Sequence, residues 1–206
     1  MIPDDTYKTI SKKSEGSYRD RGSKFIAEAF PVSSEEEAKE ILKKVKKNHP
    51  KANHHCYAMR FTPDKNIFKS SDDREPAGSA GRPVLNALLS NDLTDILIVV
   101  SRYFGGTLLG VPGLIKAYHA AAQDAIDHAE KIFKTVNILY ELQFEHSLMN
   151  EIMSILKSEN AVVINQNFND LCITRFEIRK GKSENLVKKI KNNHRLINNC
   201  KIICLS

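Results

Sequence analysis

Residues 95–113 read DILIVVSRYFGGTLLGVPG, a short apolar run followed by a glycine-rich segment. The run Ile96–Val100 is unbroken and mostly β-branched, which is typical of a strand covered on both faces. Glycine permits positive φ and lets the backbone approach its neighbours closely. A helix is predicted to follow, from Leu114 to about Lys131. The sequence therefore places a strand, a tight turn and a helix in succession, the pattern of an α/β unit.

The rest of the first 134 residues carries further strand and helix signals. A serine followed three residues later by glutamate is a capping box, so a helix is predicted to begin there. Apolar, β-branched runs predict strands, whereas proline and asparagine predict turns. In chain order these elements are a strand at Phe25–Ala27, a helix at Glu35–Lys47, a strand at His55–Phe61, a turn at Thr62–Asn66 and a helix at Pro83–Leu89.

The last third of the chain follows a different order. Strands are predicted at residues 137–144, 161–168, 171–178 and 201–205. Helices are predicted between them, at residues 147–158 and 183–193. The resulting order, βαββαβ, is that of a ferredoxin-like fold. We therefore predict an α+β protein with two domains, residues 1–134 and residues 135–206.

Length and composition are those of an ordinary globular protein. The 206 residues allow one large domain or two small ones, and 41% hydrophobic with 27% charged residues exclude a disordered chain. No apolar run reaches the ~18–20 residues needed to cross a bilayer, and the first residues lack a secretory signal. Four cysteines without a CxxC pair indicate free thiols in a reducing compartment. A cytoplasmic protein without membrane attachment is expected.

Positive charge is concentrated in the second predicted domain. The net charge of the chain is +6, and residues 133–206 carry 11 basic and 7 acidic residues. A basic surface attracts phosphate backbones and speeds encounters with them. The charge balance favours a nucleic-acid partner only weakly, because a merely soluble, lysine-rich protein has the same composition.

The glycine-rich segment Phe104–Gly113 is one candidate binding site. It matches neither GxGxxG nor GxxxxGK(S/T), so nucleotide binding by a known motif is not supported. Its glycines suit either close approach to a ligand or a tight crossover into a helix. Arg102 and Tyr103 precede it, and Lys116 follows in the next helix. These side chains suit RNA binding, or else Tyr103 and Phe104 pack in the core and Arg102 pairs with Asp72 or Asp73.

Three carboxylates lie within four residues of a polar loop, on Asp72, Asp73 and Glu75. Carboxylate oxygens are suitable ligands for a divalent cation. The same groups could cap the following helix or pair with Arg82 and Arg102. Because the sequence offers no second acidic cluster, a salt-bridged loop is favoured, and no metal centre is expected.

His54, His55 and Cys56 stand together at the start of a predicted strand. Neighbouring side chains on a strand point to opposite faces, so the two histidines are not expected to share a metal. Catalysis by Cys56 with His54 is disfavoured, because nothing places a nucleophile at a sharp turn. No catalytic residue and no cofactor are predicted.

These segments together resemble the YigZ/IMPACT family. The resemblance spans residues 15–132 and rests on three blocks, HHC at His54–Cys56, SDDREPAGSAG at Ser71–Gly81 and RYFGGTLLGVPGL at Arg102–Leu114. The tail is similar to the small C-terminal domain of bacterial YigZ proteins. Two residues depart from the family pattern: Arg74 stands where glycine is usual, and Pro112 stands where a small residue is usual.

The resemblance implies a first domain like the second domain of ribosomal protein S five and a tail like the last domain of elongation factor G. Eukaryotic relatives carry an additional RWD domain and restrain a starvation-responsive kinase of translation through its activator. No RWD domain fits within these 206 residues, so that partner is not carried over. Some members bear a proline-dipeptidase label, but the two-metal site of such an enzyme is not visible in this sequence.

The sequence thus predicts a cytosolic, non-enzymatic factor that binds RNA or the ribosome in the regulation of translation. The alternatives are a protein–protein adaptor in translational stress control and a metal-dependent hydrolase using the acidic loop. The predicted RNA contacts are phosphate contacts by Arg74, Arg82, Arg102 and Lys116, stacking by Tyr103, and close approach at Gly105 and Gly106. The family-motif positions are His54, His55, Asp72, Asp73, Glu75, Pro76, Gly81, Gly110 and Gly113.

Overall fold

A computed structural model describes residues 5–61 and 67–205 of the chain. Contacts between Cα atoms divide it into two compact units. The first unit comprises residues 7–134. The second comprises residues 135–205 together with Asp5 and Thr6. The turn predicted at Thr62–Asn66 lies outside the described residues.

The first unit is built on a five-stranded antiparallel sheet with strand order β2-β3-β6-β4-β5. A separate two-stranded sheet pairs β1 with β7. The elements are β1 Thr6–Ile10, β2 Ser14–Asp20, β3 Ser23–Pro31, α1 Glu35–Asn48, β4 His54–Phe61, β5 Ile67–Ser71, α2 Gly81–Ser90, β6 Ile96–Tyr103, α3 Gly110–Asp127 and β7 Lys131–Thr135.

The central strand β6 is buried on both faces, as its unbroken apolar run predicts. Ile96, Ile98 and Val100 belong to the hydrophobic core that includes α2 and α3. Leu97 and Val99 belong to a second core on the opposite face of the sheet, which includes α1. The sheet is therefore a middle layer between helices, although all its strands are antiparallel.

Several elements differ from the sequence prediction at their ends. The helix predicted from Leu114 begins at Gly110. Pro112 lies in its first turn, where the missing N–H of proline costs no hydrogen bond, so the helix can include it. The helix ends at Asp127, and Lys131 instead begins β7. The strand β5, which was not predicted from the sequence, is an exposed edge strand paired with β4. Only Ile67 and Phe68 favour a strand, and the three polar residues after them give little strand signal.

The second unit has the order β8-α4-β9-β10-α5-β11, which confirms the ferredoxin-like prediction. Its sheet has the strand order β11-β8-β10-β9, and all pairs are antiparallel. The elements are β8 Asn137–Phe144, α4 Met149–Ser158, β9 Val162–Phe168, β10 Cys172–Arg179, α5 Lys180–Lys191 and β11 Cys200–Cys204. The protein is thus α+β.

Asp5 is fixed within the second unit by Arg179. Two guanidinium nitrogens donate to its carboxylate at 2.8 and 2.7 Å, and the backbone N–H of Gly181 donates at 2.9 Å. The hydrogen bonds from Arg179 hold the pKa of Asp5 below its ordinary value. In the part of the chain described here, no helix is long and apolar enough to span a membrane.

Candidate functional site

A cavity of about 460 Å³ lies in the first unit, between the loop before α2 and the start of α3. Its polar wall consists of Asn53, His54, Glu75 and Arg102. Its apolar wall includes Phe104, Leu108, Val111 and Leu114. Two blocks that are far apart in the sequence, the acidic loop and the glycine-rich segment, therefore form one site.

Arg102 and Glu75 form a buried ion pair at the cavity wall. Only 5% of Arg102 and 9% of Glu75 are exposed, and Arg102 Nη1 donates to Glu75 Oε1 at 2.6 Å. The hydroxyl of Tyr118 donates to the same oxygen at 2.7 Å. The guanidinium carbon of Arg102 lies 5.5 Å from the ring centre of Phe25 and 5.6 Å from that of Phe104. A buried charge needs such partners to offset its desolvation.

The acidic loop is organised by its own carboxylates. Asp72 accepts hydrogen bonds from the backbone N–H groups of Gly78, Ala80 and Gly81 at 2.8–3.0 Å. Asp73 accepts one from the backbone N–H of His55 at 2.7 Å. Asp72 and Asp73 therefore hold the loop in its conformation, while the carboxylate of Glu75 lines the cavity.

This arrangement does not favour the metal-dependent hydrolase. The three acidic side chains of the loop are directed to three different sets of protein partners, so they do not converge on one ion. Among residues 5–61 and 67–205, no group of three or more His, Cys, Asp or Glu side chains is placed to hold a metal ion.

The two adjacent histidines serve different backbone groups. His54 Nδ1 lies 2.9 Å from the carbonyl of Asp73, so this nitrogen carries the hydrogen. The other ring nitrogen of His54, Nε2, lies 3.9 Å from Glu75 Oε1 at the cavity wall. His55 instead bonds the carbonyl of His49 through Nε2 at 3.1 Å, and burial lowers its pKa.

Cys56 is not an activated nucleophile. Its side chain is fully buried, 3.0 Å from the carbonyl of Asp72 and 3.3 Å from the hydroxyl of Tyr118. Burial raises the pKa of the thiol to about 12. A reactive cysteine needs the opposite shift, toward a thiolate at neutral pH.

The predicted RNA contacts fall into two groups. Arg74, Arg82 and Lys116 are exposed, as phosphate contacts require, and so are Gly105 and Gly106. The assignment of Arg102 to a surface phosphate needs correction, because that side chain is buried against Glu75. Tyr103 is half-buried, with its hydroxyl 2.8 Å from His49 Nδ1, and it does not line the cavity.

Glycine is required at several of the predicted positions for reasons internal to the fold. A Cβ on Gly105 would lie 1.9 Å from the carbonyl carbon of Gly22, and one on Gly81 would lie 2.7 Å from the backbone nitrogen of Ser71. The predicted close approach at Gly105 is thus to the protein's own backbone. Gly110 has a φ of +70° at the start of α3.

Sequence reasoning missed the apolar half of the cavity. Phe104 is 45% exposed and takes the place expected for Tyr103, while Leu108 is 80% exposed and Val111 is 46% exposed. Asn53 was also missed, and its side chain accepts a hydrogen bond from the backbone N–H of Phe104 at 2.9 Å. The available signal was the presence of large apolar residues within a glycine-rich segment.

Arg74 stands in a strained backbone conformation. The N–H of Glu75 donates to the carbonyl of Asp72 at 2.8 Å, and Asp73 and Arg74 between them have φ values of +40° and +73°. Both central residues of this turn thus lie in the left-handed region, which favours glycine. Glycine would therefore adopt the conformation at position 74 with less strain than arginine does.

We expect Arg74→Gly to raise the free energy of unfolding by about 1 kcal/mol, because glycine relieves the left-handed strain. Chemical denaturation of the variant checks this. Arg74→Ala is the control, since it removes the charge and retains the strain, and it should bring no gain. Equal effects of the two substitutions would contradict the prediction.

Comparisons with known proteins point to one family. Residues 21–126 match the model of the Impact N-terminal domain. The IMPACT family member YigZ of Escherichia coli (strain K12) is 35% identical over 162 residues, 78% of this chain and 79% of that protein. The IMPACT family member YvyE of Bacillus subtilis is 34% identical over 152 residues, 74% and 70% of the two chains. Protein IMPACT of Xenopus laevis is 34% identical over 110 residues, 52% of this chain and 35% of that protein.

The likeness extends to a solved structure. A crystal structure described as that of a hypothetical protein superimposes with a TM-score of 0.75 and 28% identity, covering 98% of both chains. The region matched by the family model contains every residue that lines the cavity. On the family model and these relatives together, the chain belongs to the IMPACT family.

Proposed function

We propose that this protein is a non-enzymatic factor that binds RNA, free or in the ribosome, and acts in the regulation of translation. The observation that carries the proposal is the cavity wall itself, where an exposed aromatic ring and a buried arginine adjoin a loop bearing an exposed arginine. Phe104 is half-exposed and lies against the guanidinium of Arg102. Proteins bind single-stranded RNA by stacking bases on aromatic rings while cations contact the phosphates.

The cations available for phosphate are those of the loop and the two helices beside the cavity. Arg74 directly precedes Glu75 in the loop, and its Nη2 donates to the carbonyl of Asn53 at 3.2 Å. Arg82 lies in the first turn of α2, and Lys116 lies two residues after Leu114 in α3. Exposed cations of this kind supply the part of RNA affinity that depends on salt.

The test measures co-sedimentation of the protein with ribosomes and with total RNA over a range of salt concentrations. Arg74→Ala and Lys116→Ala are each expected to weaken binding and to reduce the slope of log K against log salt by about 0.7–0.9. The matched control is Lys44→Ala. Lys44 is exposed on α1, which packs on the face of the sheet opposite to α2 and α3.

Equal losses in all three variants would assign the effect to net charge rather than to this surface. Binding that is unchanged at high salt, or free protein in every fraction, would overturn the proposal. The same co-sedimentation experiment measures both outcomes.

A second candidate function, the protein–protein adaptor, is favoured by the apolar rim of the cavity. Leu108 and Val111, which line the cavity, are 80% and 46% exposed, and Ile115, one helical turn after Val111 in α3, is 42% exposed. Exposed apolar patches mark surfaces that bind other proteins. A single protein partner that is captured after nuclease treatment, and lost on Leu108→Ser, would support this function over direct RNA binding.

A further inference from the structure

The cavity wall holds hydrogen-bonding capacity that the protein does not use. Arg102 Nε is buried and has no hydrogen-bond partner among the residues that the structure describes. Among the described residues, the side chain of Arg102 donates one hydrogen bond, from Nη1 to Glu75 Oε1. Within the same described residues, Oε1 of Glu75 accepts both of the side-chain hydrogen bonds and Oε2 accepts none. Buried polar groups are normally satisfied, so an unpartnered buried donor on Arg102, on the same cavity wall as the free oxygen of Glu75, indicates that this wall can bind a ligand.

The charge of the pair limits what that ligand can be. Glu75 already neutralises Arg102, and a phosphate group placed here would meet the largely buried carboxylate of Glu75. Like charges at short distance in such surroundings repel strongly. A purely apolar group would leave both the donor and the acceptor unsatisfied. The cavity is therefore suited to a neutral group that offers an acceptor and a donor side by side.

We propose that the cavity holds one unstacked nucleobase, which lies on the ring of Phe104 and presents its edge to Arg102 and Glu75. Every nucleobase that pairs through such an edge carries a hydrogen-bond acceptor next to an N–H donor. Arg102 Nε–H donates to the acceptor, and Glu75 Oε2 accepts from the donor. The volume of about 460 Å³ is within the ~300–1,000 Å³ of small-ligand sites.

This inference rests on the proposed function, since the exposed cations around the cavity would hold the flanking phosphates. It adds that the protein selects single-stranded or flipped-out nucleotides over regular duplex. In a duplex the base edges are paired and the ring faces are stacked, so neither Phe104 nor Arg102 could reach them.

The experiment compares two probes of equal charge, a single-stranded RNA octamer of mixed sequence and an octamer of the same backbone without bases. The intact octamer is expected to bind about tenfold more tightly, at the low end of the effect of stacking one base. Phe104→Ala is expected to remove this difference and to leave binding of the abasic probe unchanged. Phe104→Trp, which restores an aromatic face, is expected to restore it.

The outcomes separate the two proposals. If both octamers bind equally and Phe104→Ala changes neither, the base site is overturned while RNA binding stands. If neither octamer binds at any salt concentration, RNA binding is overturned and the base site with it. Phe104 is half-exposed, so the variants are expected to fold, and unchanged thermal unfolding confirms this for each.

Discussion

Glu75→Ala is expected to lower the free energy of unfolding of the first unit by about 3–5 kcal/mol. The substitution leaves the guanidinium of Arg102, of which 5% is exposed, buried without a counter-charge. It also removes the carboxylate oxygen that accepts the hydrogen bond of the Tyr118 hydroxyl at 2.7 Å. Hydrogen exchange of the β6 amides measures this loss, because that strand is buried on both faces and reports opening of the unit itself.

The control is the paired variant Glu75→Leu with Arg102→Met. Replacing both charges by apolar groups of similar size removes the unpaired charge together with its partner, so we expect stability close to that of the unaltered protein. A loss in the paired variant as large as in Glu75→Ala would contradict the explanation, because the unpaired charge could then not be its cause. A loss below about 1 kcal/mol in Glu75→Ala would also contradict it.

The ion pair connects stability with the proposed function. A buried pair is often no more stabilising than well-packed apolar residues, so its presence needs another reason. Here the pair lines a cavity and retains one unused donor and one unused acceptor. We therefore expect the paired variant to fold and to lose the preference for the intact octamer over the abasic one.

The elements of this fold that depend on local pattern were predictable from the sequence. The run Ile96–Val100 predicts a doubly buried strand because every residue is apolar, and both cores confirm it. The order βαββαβ of the second unit follows from the alternation of strand and helix signals. The edge strand β5 was missed because its residues lie exposed and its pairing depends on β4, which no local signal reveals.

The cavity was predictable only in part, because its geometry depends on residues distant in the sequence. Arg102 and Glu75 are 27 positions apart, and nothing local distinguishes Glu75 from Asp72 or Asp73 as the partner. The choice between Tyr103 and Phe104 as the exposed ring depends on how β6 ends. Tyr103, the last residue of the strand, turns to His49, while Phe104 follows the strand and faces the cavity.

Gly105→Ala is expected to lower the free energy of unfolding by about 3 kcal/mol or more, because overpacking against backbone forces the chain to shift. The new Cβ would lie 1.9 Å from the carbonyl carbon of Gly22 and 2.1 Å from the nitrogen of Ser23. Gly22 lies in the turn between β2 and β3 and Ser23 begins β3, so the hairpin must move away from the end of β6. Loss of amide protection in that hairpin is the measurement.

Gly106→Ala is the matched control, one residue further along the same turn. Gly106 has a φ of +88°, and a Cβ there meets nothing within 4 Å among the described residues. Only the backbone conformation opposes alanine at this position, which costs about 1–2 kcal/mol. If Gly106→Ala proves the more damaging, the contact with Gly22 does not govern this turn. If the expected order holds, Gly105 is needed for packing, and a loss of RNA binding in Gly105→Ala is no evidence that this glycine contacts RNA.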